Sequence, residues 1–322
     1  MILAVGNSGS YEVDSFLLVQ KELEKRGTRA LLFQQDKCLK GAYLDLVIEN
    51  NKDRVIATIN GVEYDIDNFS AIWMMKPFLP KTLMEFNPPE YRQFINRQFR
   101  AMRVALWSIF QDKIWISDPW ATERAENKPL QLHLAAQTGF LVPDTLITSD
   151  PEKVRAFFLK HGSGIVTKQV AGSPMLNKVI YTNVIGKKEM EKIDSLRMSP
   201  AIFQQKIPKA FELRITVAGD NIYPAKIYSQ DDPSTALDWR RLPLVNDYKV
   251  KMETTSIPDQ VTKNIKTFMT KLGLRFGCID MIVTPTGEYV FLEINPNGQW
   301  YFVQLATKQG IASSIADLLT QK

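Results

Sequence analysis

Residues 276–300 read FGCIDMIVTPTGEYVFLEINPNGQW, and this stretch carries most of the information about fold and chemistry. Two apolar runs flank PTG at 285–287, a pattern that predicts two strands joined by a hairpin turn. Asp280 lies within the first strand, and Glu293 and Asn295 lie at the end of the second. Side chains two apart leave the same face of a strand, and the hairpin folds both strands side by side. We therefore expect these three side chains to meet.

The three side chains offer two carboxylates and one amide oxygen, the hard ligands that Mg²⁺ prefers. They indicate a magnesium site made by Asp280, Glu293 and Asn295. Mg²⁺ usually takes only one or two protein carboxylates and completes its octahedron with water and phosphate oxygens, so a nucleotide is the expected partner. The alternative is that Asp280 and Glu293 form ordinary salt bridges at a sheet edge. Carboxylates inside apolar runs are costly without a cation, which favours the metal.

The composition is that of a globular chain. It has 322 residues, of which 45% are apolar and 23% are charged. At roughly 100–200 residues per domain, this length indicates two or three domains with enough apolar material for real cores. The apolar fraction, only 16 glycines and the lack of a sustained heptad repeat exclude disordered, collagen-like and coiled-coil chains.

The charge balance is slightly positive, with 40 Lys and Arg against 35 Asp and Glu and a formal net charge of +5. Such a surplus favours anionic partners only weakly. The run KKEMEK at 187–192 mixes both signs, so it reads as a solvated face and no nucleic-acid partner is predicted.

The two cysteines, Cys38 and Cys278, lie far apart and have no metal-binding spacing. They indicate a reduced compartment and no structural disulfide. The N-terminus lacks the basic region and cleavage site of a signal peptide, and no stretch approaches the ~18 apolar residues of a membrane span. We therefore expect a soluble, cytoplasmic protein without a membrane partner.

Strand and helix patterns divide the chain near residue 112. Residues 1–33 read strand, helix, strand, which indicates a βαβ unit. A small meander with a tight turn at residues 60–61 follows. A long helix at 88–110 carries an apolar and aromatic stripe, which we expect to face the core. Beyond residue 112 the chain is rich in strands with interspersed helices, so the fold class combines α/β and α+β parts.

Several motifs in combination resemble the ATP-grasp ligases: two spaced lysines, a hinge strand, ELR at 212–214, and an Asp followed by ExNP. Within that superfamily, FQQKIPKAFELRITVAGD at 203–220, LDWRR at 237–241 and residues 276–300 resemble the graspetide (microviridin-type) peptide ligases. The Asp and ExNP alone indicate only the ATP-grasp superfamily, whereas IPKxxELR and DWR point to the graspetide ligases within it. The resemblance runs over nearly the whole chain.

This resemblance implies an ATP-grasp fold preceded by an N-terminal pre-ATP-grasp βαβ domain. The implied domains are the pre-ATP-grasp domain at 1–112, a central ATP-grasp subdomain at 113–205, and a C-terminal ATP-grasp subdomain at 206–322. The central subdomain would include a hairpin and helix that bind the leader of a peptide. The C-terminal subdomain would hold the metal site.

The resemblance also implies a nucleotide site. Lys128 and Lys168 match the two lysines that contact phosphates, although an ordinary surface lysine is the alternative for each. The hinge, whose backbone would pair with the adenine edge, consists of Gln204, Gln205, Lys206 and Ile207. Relatives often have a carboxylate where this chain has Gln205, yet an amide also accepts from the adenine amino group. Glu212 matches the position that bonds ribose hydroxyls.

Two arginines are implied in the reaction itself. Arg214 lies on the same strand face as Glu212, near the γ-phosphate or a substrate carboxylate, and a planar guanidinium binds either one bidentately. A Glu212–Arg214 bridge is the alternative. Arg240, in the DWR segment, would face the acyl phosphate or the acceptor.

The implied activity is that of a ligase dependent on ATP and Mg²⁺. Such an enzyme phosphorylates an Asp or Glu side chain of a ribosomal precursor peptide. A Thr or Ser hydroxyl, or a Lys amine, then attacks the acyl phosphate and closes a macrocyclic ester or amide. The expected partner is a precursor peptide with a leader and an acidic, Thr-rich core, the leader docking between residues 172 and 196. A homodimer is also expected.

Two other functions stay open. A glutamate-ligase-like ATP-grasp enzyme, which adds amino acids to a peptide or protein, shares the ATP site and differs only in the acceptor. The third possibility is a non-catalytic nucleotide- or peptide-binding protein. The predicted metal ligands and basic side chains argue against it, because a mere binder does not need them.

Overall fold

The computed structural model describes residues 1–75, 88–162, 164–171, 182–233, 235–239 and 250–321. These residues form two compact units. The first comprises the described residues of Met1–Thr122, Gly273–Phe276 and Gly310–Lys322, and the second those of Glu123–Leu272 and Gly277–Gln309. The division into 1–112, 113–205 and 206–322 stays a prediction.

The described residues form strands and helices along the whole length of the chain. The strands are β1 (Ile2–Gly6), β2 (Ala30–Gln34), β3 (Tyr43–Glu49), β4 (Lys52–Ile59), β5 (Val62–Asp65), β6 (Ala71–Met74), β7 (Ile114–Ile116), β8 (Thr145–Thr148), β9 (Ile165–Lys168), β10 (Asn183–Ile185), β11 (Ala201–Gln205), β12 (Phe211–Ala218), β13 (Asn221–Ile227), β14 (Met252–Thr254), β15 (Phe276–Val283) and β16 (Tyr289–Asn295). The α-helices are α1 (Ser10–Glu24), α2 (Pro89–Ile109), α3 (Pro119–Ala125), α4 (Lys128–Gln137), α5 (Pro151–His161), α6 (Lys187–Met190), α7 (Asp259–Leu272), α8 (Tyr301–Thr307) and α9 (Ile311–Thr320).

The first unit is built on a parallel sheet with the strand order β2-β1-β6-β7. Strand β1 pairs in parallel with both β2 and β6, and helix α1 connects β1 to β2. Parallel neighbours need a crossover of this kind, which is usually a helix. The βαβ unit predicted for residues 1–33 is therefore confirmed.

The predicted meander is the three-stranded antiparallel sheet β3-β4-β5. Its tight turn is formed by Asn60 and Gly61, whose φ angles of 51° and 79° lie in the left-handed region. A two-residue hairpin turn with both φ angles positive matches the twist of the flanking strands, which is why Asn-Gly is favoured there.

The long predicted helix is confirmed as α2, but only part of its apolar stripe lies in the core. Leu106 and Trp107 belong to the hydrophobic core cluster of the first unit, and the partly buried Met102 packs against it. Tyr91 and Phe94, at the start of the helix, are 57% and 61% exposed. The expectation that the whole stripe is buried was wrong, because the core contacts of this helix begin at Met102 among the described residues.

The second unit contains two sheets. One has the strand order β10-β9-β11-β8, with antiparallel pairs throughout, and the other has the order β14-β13-β12-β15-β16. Strand β15 is buried along its whole length. A charged side chain on such a strand needs a partner of opposite charge or a ligand, since an unpaired buried charge is costly.

The predicted C-terminal hairpin is formed by β15 and β16, which pair antiparallel. In the turn, the amide of Gly287 donates to the carbonyl of Thr284 at 2.9 Å, and the φ angle of Gly287 is +85°. The register shifts by one residue just after Asp280, which leaves Asp280 directly opposite Glu293. Such a bulge re-aims side chains locally and is often found beside functional sites.

Cys38 is half-buried, Cys278 is buried, and both are free thiols. None of the helices in the described ranges has the length and apolar character needed to cross a membrane.

Candidate active site

The second unit contains a cleft of about 430 Å³, which is lined by residues of both of its sheets. Eight of the twelve residues predicted for the site line it: Lys168, Gln204, Gln205, Lys206, Ile207, Glu212, Asp280 and Glu293. Of the other described residues of the set, Lys128, Arg214 and Asn295 do not line the cleft but each contacts Asp280 or Glu293. Arg240 lies outside the described residues.

The three predicted metal ligands converge on the hairpin. Asp280 and Glu293 are paired across β15 and β16, and they are only 7% and 8% exposed. The amide nitrogen of Asn295 donates to Oδ2 of Asp280 at 3.1 Å. Within the described ranges, no group of three or more His, Cys, Asp and Glu side chains is placed to hold a metal. The predicted set of Asp280, Glu293 and Asn295 is of another kind, because it has two carboxylates and one amide.

Arg214 is the cation that balances Asp280. It lies on β12, is 5% exposed, and its Nη1 donates to both carboxylate oxygens of Asp280 at 2.9 Å. Its Nη2 donates to the carbonyl oxygen of Gln299 at 2.9 Å. A hydrogen-bonded pair of this kind, with the guanidinium fixed at both terminal nitrogens, holds the carboxylate in one orientation.

Lys128 contacts the second carboxylate of the hairpin. It is the first residue of α4, and Asn127 caps that helix by accepting from the amide of Leu130 at 3.0 Å. The Nζ of Lys128 lies 3.3 Å from Oε2 of Glu293. Lys128 is therefore not an ordinary surface lysine, because its partner is a buried carboxylate that lines the cleft.

The predicted hinge lines the cleft, but most of its polar groups have protein partners. The side-chain amide of Gln204 donates to Oγ1 of Thr145 at 3.0 Å, so this buried side chain is used in β11–β8 packing. The backbone amides of Gln205 and Lys206 donate to carbonyls at 2.9 and 2.6 Å. In the part of the chain that the structure describes, the amide of Ile207 has no protein acceptor. This amide can therefore donate to a ligand in the cleft that Ile207 lines.

Glu212 pairs with Lys209, a residue that sequence reasoning missed. The Nζ of Lys209 donates to Oε1 of Glu212 at 2.9 Å and to the carbonyl of Leu237 at 2.8 Å. Both side chains line the cleft. Burial raises the pKa of the Glu212 carboxyl, while the Lys209 ammonium acts in the opposite direction. The signal was present in the sequence, because IPKAFELR places a lysine three residues before the glutamate.

The buried Glu212 carboxyl gives stability a pH dependence. Its pKa in the folded state is raised above the ordinary value of 4.5. The folded state then holds this proton more tightly than the unfolded state, so the free energy of unfolding falls as the pH rises from 4.5 through the raised pKa. We expect Lys209→Met to extend this fall to higher pH and Glu212→Gln to remove it. Urea unfolding at a series of pH values measures both, and parallel profiles for wild type and Glu212→Gln would contradict the assignment.

Gly298 lets the loop after β16 pack against the hairpin. A Cβ atom at this position would lie 2.5 Å from Cβ of Cys278 and 2.9 Å from Nη2 of Arg214. The thiol of Cys278 is fully enclosed there, and burial raises its pKa. No side chain larger than hydrogen fits without moving one of these groups.

We therefore expect Gly298→Ala to lower the free energy of unfolding by about 1–3 kcal/mol, the usual cost of overpacking. Gly310→Ala is the matched control, because a Cβ there meets nothing within 4 Å and its φ is −82°. Urea unfolding of both variants measures the difference. Equal stability of the two variants would show that the loop yields without cost.

Comparison with known proteins gives matches along the whole chain. A family model described as the MvdD pre-ATP grasp domain matches residues 1–123. The macrocyclase MdnC from Microcystis aeruginosa MRC, solved with precursor peptide MdnA, is 28% identical, with 100% of both chains covered and a TM-score of 0.85. A RiPP-associated ATP-grasp ligase from Chryseobacterium gregarium, solved with ADP and a leader and core peptide, is 27% identical, with 99% of this chain and 96% of that chain covered and a TM-score of 0.83.

A third solved structure, the macrocyclase MdnB from Microcystis aeruginosa MRC, is 26% identical. The match covers 100% of this chain and 99% of that chain, with a TM-score of 0.80. No curated protein matches this chain.

Proposed function

We propose that this chain, an ATP-grasp ligase of the graspetide (microviridin) type, joins side chains of a ribosomal precursor peptide into macrocycles. The fold class predicted from the sequence, an ATP-grasp fold with an N-terminal pre-ATP-grasp domain, is confirmed. The prediction that the chain is an ATP-grasp ligase is also confirmed. The observation that carries the proposed chemistry is the convergence of Asp280, Glu293, Asn295 and Arg214 at one end of a nucleotide-sized cleft.

The residues at this end of the cleft fit Mg²⁺. Asp280 and Glu293 supply two hard carboxylates from opposed positions of a hairpin, the number that Mg²⁺ normally takes from a protein. We propose that these two carboxylates and the amide oxygen of Asn295 hold the ion. When bound, Mg²⁺ neutralises charge on phosphate oxygens and orients them.

ATP fits the remainder of the cleft. The apolar side chains of Val166, Ile282 and Leu292 line it and suit the faces of adenine, and the amide of Ile207 suits its edge. Glu212, held by Lys209, is placed to accept from ribose hydroxyls. A similar protein points the same way, since the Chryseobacterium gregarium ligase was solved with ADP.

The proposed reaction has two steps. A peptide carboxylate oxygen attacks the terminal phosphorus of ATP, ADP leaves, and an acyl phosphate forms on the peptide. A Thr or Ser hydroxyl, or a Lys amine, of the same peptide then attacks the acyl carbon and expels phosphate, giving an ester or an amide. Lys128, Lys168 and Arg214 offset charge on the transferring phosphoryl group, and such electrostatic positioning supplies most of the catalysis of phosphoryl transfer.

Arg240 is proposed to face the acceptor, although it lies outside the described residues. The leader is proposed to dock between residues 172 and 196, of which 172–181 also lie outside them. Homodimer formation and a cytoplasmic location stay predictions.

Mass spectrometry tests the proposal directly. The enzyme is incubated with ATP, Mg²⁺ and short Thr- and Asp/Glu-rich peptides encoded in reading frames beside its own gene. Loss of one water per link, with one ADP formed for each, supports macrocyclisation. A mass gain by added amino acids would instead support the glutamate-ligase-like function. No ADP and no mass change with any such peptide would support a non-catalytic binding protein.

A further inference from the structure

Gln131 forms a bridge between helix α4 and the end of β16. It is 2% exposed, and its side-chain amide makes three hydrogen bonds, all to backbone groups. Its Oε1 accepts from the amide of Ile294 at 3.0 Å, and its Nε2 donates to the carbonyl of Ile294 at 2.9 Å and to that of Ala125 at 2.6 Å.

The residue that Gln131 holds lies between two candidate metal ligands. Ile294 is flanked by Glu293 and Asn295, so the amide of Gln131 grips the backbone at the middle of the ligand segment. Pairing at both the N–H and the C=O of one residue fixes the position of the strand along the helix as well as its distance from it.

The same helix carries the lysine that contacts the site. Lys128 lies three residues before Gln131, and residues with this spacing share a helix face. The Nζ of Lys128 is 3.3 Å from Oε2 of Glu293. One face of α4 therefore meets β16 twice, through a neutral bridge to the backbone and through an ion pair to the carboxylate.

The chemistry of the bridge needs glutamine. A side-chain amide offers both a donor and an acceptor, which is the complement of one backbone residue. An apolar side chain of similar length would leave a buried N–H and C=O of Ile294 without these partners, which is unfavourable in the protein interior.

We propose that Gln131 is a positioning residue, which holds the Glu293–Asn295 segment at the spacing that Mg²⁺ requires. This proposal rests on the proposed function. Partners that hold metal ligands without touching the metal commonly contribute 10- to 100-fold to metal affinity.

The test is the affinity for ADP in Gln131→Met, measured by calorimetry with Mg²⁺ and again in EDTA. We expect affinity with Mg²⁺ to fall about 10-fold or more, while affinity in EDTA changes less than about twofold. Gln131→Glu would bury a carboxylate oxygen against the carbonyls of Ala125 and Ile294, so its affinity with Mg²⁺ should fall at least as far as that of Gln131→Met. Gln137→Met, on the exposed end of the same helix, should resemble wild type.

Equal losses with and without Mg²⁺, or no loss in Gln131→Met, would overturn the proposal. Thermal unfolding without nucleotide distinguishes a folded variant from one that has lost its structure. If wild-type enzyme itself binds ADP no better with Mg²⁺ than in EDTA, the proposed metal site fails, and that result is separate from a failure of the Gln131 variants.

Discussion

Replacing Arg214 with methionine is expected to lower both the stability of the protein and its ligase turnover. The guanidinium is 5% exposed and bonds both oxygens of Asp280, which is itself buried. Removing one partner of a buried ion pair typically costs about 3–5 kcal/mol, because the other charge stays buried without it. Turnover should fall by about 100-fold or more, which is the usual effect of removing a preorganised hydrogen-bond donor that stabilises charge in the transition state. Urea unfolding and ADP release with a peptide substrate measure the two effects.

A double variant tests whether Arg214 stabilises the fold by balancing the charge of Asp280. In Arg214→Met/Asp280→Asn both charges are gone, so much of the lost stability should return. Arg197→Met is the exposed control: Arg197 has a side chain that is 62% exposed and lies 3.6 Å from Asp194. Exposed pairs of this kind contribute only about 0–1 kcal/mol. If Arg214→Met were as stable as this control, Arg214 would not be what balances the buried Asp280.

The sequence predicted the local structure correctly wherever the spacing of apolar and turn residues over a few positions determines it. In the C-terminal hairpin, a turn signal between two apolar runs fixed which strands pair, and the period of two placed Glu293 and Asn295 on one face. Those two rules pair the strands, but Asp280 lies opposite Glu293 only because of the one-residue register shift beside it. The same reasoning placed the βαβ unit and the Asn60-Gly61 turn.

The sequence could not predict contacts that depend on packing between distant elements. Gln131 and Ile294 are 163 residues apart, and nothing local distinguishes Gln131 from a polar side chain on an exposed helix face. The tight fit of Gly298 against Cys278 depends equally on three-dimensional packing. The one-residue bulge beside Asp280 is a register effect that a period of two does not specify. The exposure of Phe94 on α2 also depends on packing. The apolar stripe of this helix shows which of its faces is apolar, but it does not show how far the core extends along the helix.

Glu293→Gln is expected to remove turnover while leaving the fold nearly unchanged. The substitution keeps the size of the side chain and removes one of two carboxylates proposed to hold Mg²⁺. Its present partner, Lys128, has a side chain that is 32% exposed, so the ammonium stays hydrated when the ion pair is lost. The free energy of unfolding should therefore change by about 1 kcal/mol or less. Turnover should fall by more than about 100-fold, beyond the usual effect of residues that only support a metal ligand.

Glu288→Gln provides the matched control, since Glu288 is an exposed carboxylate in the turn of the same hairpin. Its turnover and its affinity for ADP should match wild type with Mg²⁺ and in EDTA. Glu293→Gln should lose affinity only where Mg²⁺ is present. Near-normal turnover in Glu293→Gln would remove this carboxylate from the proposed ligand set. A loss of ADP affinity in EDTA as large as the loss with Mg²⁺ would instead mean that Glu293 acts on the nucleotide through Lys128, because an ion pair that orients an ammonium towards phosphate needs no metal.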